Sequence, residues 1–258
     1  MTEEVRGLVI RTTDINESDR LVTIFTEERG IVTALAKGAR SLKSRKMAST
    51  MQFCYGDYVL VPRGDRYWIK ETSLIESFFD IRSSLEGLAL AGYIVEVLAD
   101  VAVEEAEREL LRLSLNSLYA ISYGKHSLDK IKAAFEIRAA SILGFMPDVL
   151  ACHLCGEKSG DFFFDVMGGM IECYKCHGES EAKHVAMSDA HEAHIVCILS
   201  ESAKIALGYC IHCPIERVFS FNIPDEDMAL FQKSAEEYLT NHLERSFKAL
   251  DFYKQIKR

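Results

Sequence analysis

Four of the chain's cysteines fall into two closely spaced pairs, Cys152-x-x-Cys155 and Cys173-x-x-Cys176. Each pair lets two thiolates from one tight turn meet a single ion, and the segment between them can fold back to complete the tetrahedron that zinc takes. Gly156 and Gly178 stand where turns are needed after each pair. The alternative is buried or oxidised thiols. The N-terminus, MTEEVRG, lacks the basic start and apolar run of an export signal, and in a reducing compartment ligation is favoured over bridging. Four thiolates leave no open position for water or substrate, so the expected Zn2+ is structural, one per chain. A zinc deaminase would need H-x-E and P-C-x-x-C elements, but Ala151 precedes Cys152 and Glu172 precedes Cys173, so the second element is missing. His153 and His177 lie in or beside the knuckles and could replace a thiol, although four thiols are already available. Residues 148–182, with Phe162-Phe163-Phe164 and Gly168-Gly169, read as a small hairpin whose apolar side chains are too few to fold it unaided; metal would supply the missing stability.

Other chemistry-bearing residues form weaker patterns. Cys210-x-x-Cys213 with His212 has no second half, and reads as a helix end closing at Pro214. His191-Glu192-Ala193-His194 is one residue short of a zinc-protease helix, so its histidines sit at i and i+3, as on a solvated helix face. No G-x-x-x-x-G-K-[ST] loop cradles phosphates, and no carboxylate cluster beside histidines offers an open metal position. The chain reads as a protein that is not an enzyme.

Charge points in two directions. The formal net charge is −9, which is not the overall footprint of a nucleic-acid binder. Yet residues 1–80 carry as many Lys and Arg as Asp and Glu, and Ile31 to Gly56 contains no acidic residue. Lys37, Arg40, Lys43, Arg45 and Lys46 fall in this stretch among small residues, a composition able to follow a phosphate backbone without reading bases. Two functions therefore compete: a nucleic-acid binder using this patch, and a zinc-stabilised protein-interaction module without direct DNA binding, in which the basic loop is only solvated.

These residues need a scaffold. With 258 residues, 48% of them hydrophobic and 27% charged, the chain is globular and long enough for two cores. Five short strands are expected, near Val5–Arg11, Leu21–Thr26, Ile31–Ala36, Phe53–Val61 and Tyr67–Ile75, joined at Glu27–Gly30 and Pro62–Asp65 by turns and at Lys37–Gln52 by a long loop. That count suits a small oligonucleotide-binding (OB-fold) barrel over residues 1–80. Tyr55, Tyr58 and Tyr67 are expected mostly in its core, whereas Trp68, beside Arg66 and Lys70, is a candidate stacking platform. Residues 81–258 read as an α-helical domain with the zinc module inserted at about 148–182, which makes the fold class α+β. Helical spacing runs from Leu85 to Val101, from Leu110 to Leu118 and from Leu128 to Ile142, then resumes near Ser188, breaks at Cys213-Pro214 and restarts near Pro224, where Asp225-Glu226-Asp227 suits a helix N-terminus. No apolar run is long enough to span a membrane, and a cytoplasmic location is expected.

The run VRGLVIRTTDINESDRLVTIFTEERGIVTALAKGARSLKSR, with its E-S-D-R-L and A-K-G-A-R elements, resembles the opening of the RecO DNA-repair family. FEIRAASILGFMPDVLACHLCG and YLTNHLERSFKALDF resemble the family's later segments, so the likeness covers about the full chain. It implies an OB-fold followed by a helical domain bearing zinc in one branch of the family. It also implies a recombination mediator that binds single- and double-stranded DNA, anneals complementary strands and, with RecR, helps RecA replace single-strand-binding protein. On this resemblance Arg20, Lys37, Arg40 and Arg45 are candidates for DNA contact. Family members often have serine in the stretch matching Phe247–Leu250, where this chain has Ala249.

Overall fold

The computed structural model describes residues 2–64, 66–101, 108–179 and 195–257. They form two compact units, Met1–Lys125 with Phe247–Arg258, and His126–Ser246.

The first unit begins with the expected closed barrel. Its strands are β1 (Glu3–Asp14), β2 (Arg20–Thr26), β3 (Gly30–Ala36), β4 (Tyr55–Arg63) and β5 (Arg66–Glu76), with the short helix α1 (Lys46–Ser49) between β3 and β4. They close in the order β1-β2-β3-β5-β4, with β1 pairing antiparallel to both β2 and β4, and β3 meeting β5 in parallel at Ala34–Tyr67 and Leu35–Trp68. Alternation along the strands sends Val5, Val9, Val22, Ile24, Leu60 and Ile69 inward. The segment expected to be an open loop up to Gln52 is therefore partly helical. Tyr58 holds that turn by donating its hydroxyl to the Ser49 carbonyl at 2.8 Å. Phe53 takes a positive φ of 71° and so lies outside β4.

Closure brings backbones together at two glycines. Gly7 of β1 faces Gly56 of β4. A Cβ on Gly7 would lie 2.5 Å from the Phe25 carbonyl oxygen, and one on Gly56 would lie 2.4 Å from that of Ser73. Both obstacles are backbone atoms, which cannot swing aside as a side chain could.

The barrel is followed by α2 (Leu85–Val101) and α3 (Arg108–Tyr123), which bury Leu90, Ile94, Leu98, Leu110, Leu111 and Leu118. The second unit opens with α4 (Leu128–Ile142), whose N-cap Ser127 accepts the Lys130 N–H at 3.3 Å. Next come β6 (Phe162–Asp165), β7 (Met170–Cys173) and β8 (Val196–Leu199), an antiparallel sheet in the order β7-β6-β8, then α5 (Glu201–His212) and α6 (Asp225–Leu243). The helix expected from Ser188 is corrected in part: residues 180–194, including the His191–His194 motif, lie outside the described residues, and Val196–Leu199 is a strand with Cys197 and Leu199 inside and Ile198 outside. Pairing with β6 over Phe162–Asp165 overrides helical spacing there.

The hairpin is also better packed than its composition suggested. Val149, Phe162, Phe164, Val166 and Ile171 are all buried, because β8 and α6 supply the neighbours that the local sequence lacks. Cys210 and Cys213 close the end of α5 at Pro214 as buried thiols. The last helix, α7 (Lys248–Ile256), returns to the first unit. There the Glu96 carboxylate of α2 caps it, accepting the N–H groups of Lys248 and Ala249 at 3.2 and 2.8 Å, and Tyr93 meets Phe247 edge-on at 5.5 Å.

A buried ion network joins α4 to α6. Lys132 Nζ lies 2.8 Å from Glu136 and 2.7 Å from Glu236, with Glu136 fully buried. Burial alone would lower the Lys132 pKa, but the two carboxylates outweigh it and the net shift is upward. Removing the cation would strand a buried carboxylate, so K132M is expected to cost about 3–5 kcal/mol in urea unfolding. In the barrel, G7A is expected to cost about 1–3 kcal/mol by the same measurement, because strand backbones must separate to admit the methyl group.

Candidate functional site

The two cysteine pairs meet at one point. The first stands where the chain turns back after α4, with Gly156 at φ 78° donating its N–H to the Cys152 carbonyl at 2.8 Å. The second pair straddles the end of β7 and the helical residues 174–179 that follow. Hairpin register does the rest: β6 and β7 pair from Phe162–Cys173 to Asp165–Met170, and His153 N–H donates to the Ile171 carbonyl at 3.0 Å, drawing the first knuckle onto the second.

All four Sγ atoms lie within 4.8 Å of one another, and those of Cys155 and Cys173 are 3.7 Å apart. A tetrahedron with Zn–S bonds of about 2.3 Å requires sulfurs about 3.8 Å apart. The donor set therefore fits a tetrahedral thiophilic ion, with the sulfurs close to the separation such an ion requires. Burial raises the Cys152 thiol pKa, but N–H groups of Cys173, Cys155 and Leu154 outweigh it and bring the value to about 6, so one ligand is already biased towards the thiolate. Cys176 is shifted upward, chiefly by its hydrogen bond with Cys155.

Neither neighbouring histidine belongs to the cluster. His153 Nε2 and His177 Nδ1 instead bond the two oxygens of Glu172, at 3.0 and 3.1 Å, and His177 stacks on Phe163 at 3.9 Å. One carboxylate thus bridges the two knuckles. Sequence spacing offered no sign of this clasp, because β7 alone sets which way Glu172 points. Cys210 and Cys213 take no part in a metal cluster among the described residues.

The basic residues divide by what they touch. Arg20 Nε is 2.9 Å from Asp14, and Arg40 Nε is 3.2 Å from the same carboxylate. Lys46 is half-buried, donates to the Ile69 carbonyl at 2.7 Å and has its pKa lowered by burial. Lys43 and Arg45 are exposed and have no ion pair or hydrogen bond among the described residues. Lys37 lies 5.8 Å from the centre of the Trp68 ring, which is half-exposed.

Trp68 has a second cation that sequence inspection missed. Arg63 lies 5.6 Å from the ring centre, while Arg66 and Lys70, its closer neighbours in sequence, make no such contact among the described residues. Trp68 pairs with Val61 across the β4–β5 hairpin, and Arg63 is two residues beyond Val61, on the same face. The signal was present in the tight turn but needed the pairing to be read. As expected, Tyr58 is buried; Tyr55 and Tyr67 are half-buried, with hydroxyls bonded to Glu27 and Arg29.

Comparison with known proteins agrees with both units. Residues 1–78 match the model of the recombination protein O N-terminal region, and residues 82–251 match that of its C-terminal region. The DNA repair protein RecO of Acetivibrio thermocellus is 34% identical over 98% of this chain and 96% of its own length. The proteins of the same name from Clostridium kluyveri and Exiguobacterium are 35% and 34% identical over 72% and 67% of this chain, and 72% and 70% of their own lengths. Among the described residues no helix is long and apolar enough to cross a membrane. By family models that together span nearly its whole length, and by full-length similarity, this chain belongs to the RecO family of DNA repair proteins.

Proposed function

We propose that this protein is a cytoplasmic recombination mediator that binds single- and double-stranded DNA through its barrel, anneals complementary strands and, with RecR, helps load RecA onto DNA coated with single-strand-binding protein. The observation that carries the reading is the surface around Trp68, where Lys37 and Arg63 flank an aromatic ring and the unpaired cations Lys43 and Arg45 project from an acid-free loop. Cations of this kind neutralise phosphates while a ring stacks on any base, which is how single strands are held without sequence preference. The step from DNA binding to mediation rests on family membership. No nucleotide is needed, because pairing complementary strands is downhill once they are brought together. The protein acts by holding and presenting strands and not as an enzyme.

We assign Zn2+ to Cys152, Cys155, Cys173 and Cys176 as a structural ion. Its chemistry there would be to bind four thiolates and fix the two knuckles together, with no position left for substrate. Glu172, through His153 and His177, orients the same two turns from outside.

Elemental analysis of freshly purified protein is expected to give about one zinc per chain, and C152S/C155S to lose it and melt at a lower temperature; metal-free wild-type protein, or full retention by the double variant, would exclude the assignment. Binding to a labelled single strand should weaken with salt at a slope of about −2 to −3 in log–log form if three or four phosphates are neutralised. K43E/R45E should lower affinity for all sequences and flatten that slope, while W68A should cost about 1–3 kcal/mol of binding. Unchanged affinity and slope in a folded K43E/R45E protein would move the DNA site elsewhere, to the barrel face near Trp68 or to the helical domain, whereas wild-type protein that binds no labelled strand at low salt would favour the protein-interaction module instead.

A further inference from the structure

The loop carrying the unpaired cations is anchored from outside itself. Gly38 N–H donates to Asp19 Oδ1 at 2.8 Å, and Arg40 N–H donates to the Ser18 carbonyl at 3.0 Å. The Arg40 guanidinium reaches the Asn16 carbonyl and the Asp14 carboxylate. The β1–β2 turn, residues 15–19, is thus laced to the start of the β3–α1 loop.

Asp19 is the most heavily bonded member of that lacing. Its Oδ2 accepts from Asn16 Nδ2 at 3.1 Å and its Oδ1 from Ser18 Oγ at 3.1 Å, while Asn16 Oδ1 accepts the Ser18 and Asp19 N–H groups at 2.8 and 2.7 Å. The carboxylate is therefore fixed before it meets the loop. Gly38 has φ 68° and open space where a Cβ would be. Glycine is needed there for its backbone angle, and that angle turns its N–H towards Asp19.

A carboxylate beside a phosphate-binding loop is opposed by its own charge. Acting only through the field, it would weaken DNA binding, because phosphates within a Debye length of about 8 Å would feel it. Its bonds give it the opposite effect. We propose that Asp19 is a positioning residue for the DNA contact: by holding Gly38 it sets where the chain leaves β3, and hence where Lys43 and Arg45 are presented. This rests on the nucleic-acid reading above. Asp19 itself touches no DNA.

The two effects differ in sign, which makes them separable. Field alone predicts that neutralising Asp19 strengthens binding, whichever residue replaces it. Positioning predicts that the outcome depends on whether the acceptor for Gly38 survives. D19N keeps an Oδ1 acceptor, whereas D19A keeps none. Glu17 lies exposed in the same turn and has no hydrogen bond or ion pair among the described residues, so E17Q reports charge removal alone.

Affinity for a labelled single strand at low salt would be measured for the four proteins, with circular dichroism to check the barrel and limited trypsin digestion of the free protein to follow cleavage after Arg40, Lys43 and Arg45. D19A is expected to bind about tenfold more weakly, on the scale of one charge-assisted hydrogen bond, and to be cut faster in the loop. D19N should stay close to wild type, and E17Q should bind as tightly or more tightly. Should D19A not fold, D19S, whose hydroxyl falls short of Gly38, takes its place. D19A binding at least as tightly as wild type, or D19N as weak as D19A, would overturn the proposal while leaving the DNA reading intact. Wild-type protein that binds no strand at low salt would remove the DNA reading and this inference with it.

Discussion

β1 pairs on both edges, with β2 on one side and β4 on the other, and that double pairing is the constraint from which the barrel follows. A strand bonded on both edges leaves no edge for another chain to pair with. It also fixes the register of every other strand, because a slip by one residue would turn Val5 and Val9 outward. Closure at this radius forces the backbones together where Gly7 faces Gly56. The same register puts Trp68 opposite Val61 and Leu35, and so decides which cations can reach the ring.

The cysteine cluster depends on a comparable device at smaller scale. The β6–β7 pairing sets the second knuckle, and a backbone bond from His153 to Ile171 brings the first to it. The thiols lie close in a unit that has its own buried side chains from β8 and α6. Cysteine geometry here is set by the sheet, and the Glu172 bridge between His153 and His177 adds a further link between the same two turns.

Much of this was legible in the residues. Strand positions emerged because β3 and β4 alternate buried positions with more exposed ones, so that periodicity survives in the sequence. The cysteine pairs were legible because ligand chemistry constrains spacing locally. What could not be read required partners distant in the chain. Val196–Leu199 is short and apolar, and only pairing with Phe162–Asp165 makes it a strand. The small local core of the hairpin looked inadequate because Phe162, Phe164 and Ile171 are completed by residues far away in sequence. Arg63 escaped notice because it lies on the neighbouring strand, and only the β4–β5 pairing brings it beside Trp68.

Counting cations overstates a binding surface, and this barrel illustrates why. A net charge of −9 suggests no attraction for phosphate, yet charges more than about 8 Å away are largely screened at physiological salt, so the local arrangement governs. Within that local arrangement the cations are not equivalent. Arg20 and Arg40 share Asp14, and Lys46 donates to a carbonyl of β5, so each has exchanged part of its water for bonds within its own chain. A phosphate approaching them must compete with partners already in place, whereas Lys43 and Arg45 are exposed and have no ion pair or hydrogen bond among the described residues. Guanidinium groups can do both kinds of work, because their planar fork binds backbone carbonyls and carboxylates in fixed directions. The motif that looks like a run of interchangeable basic residues is therefore a scaffold of internally bonded cations that holds a smaller set of free ones in position.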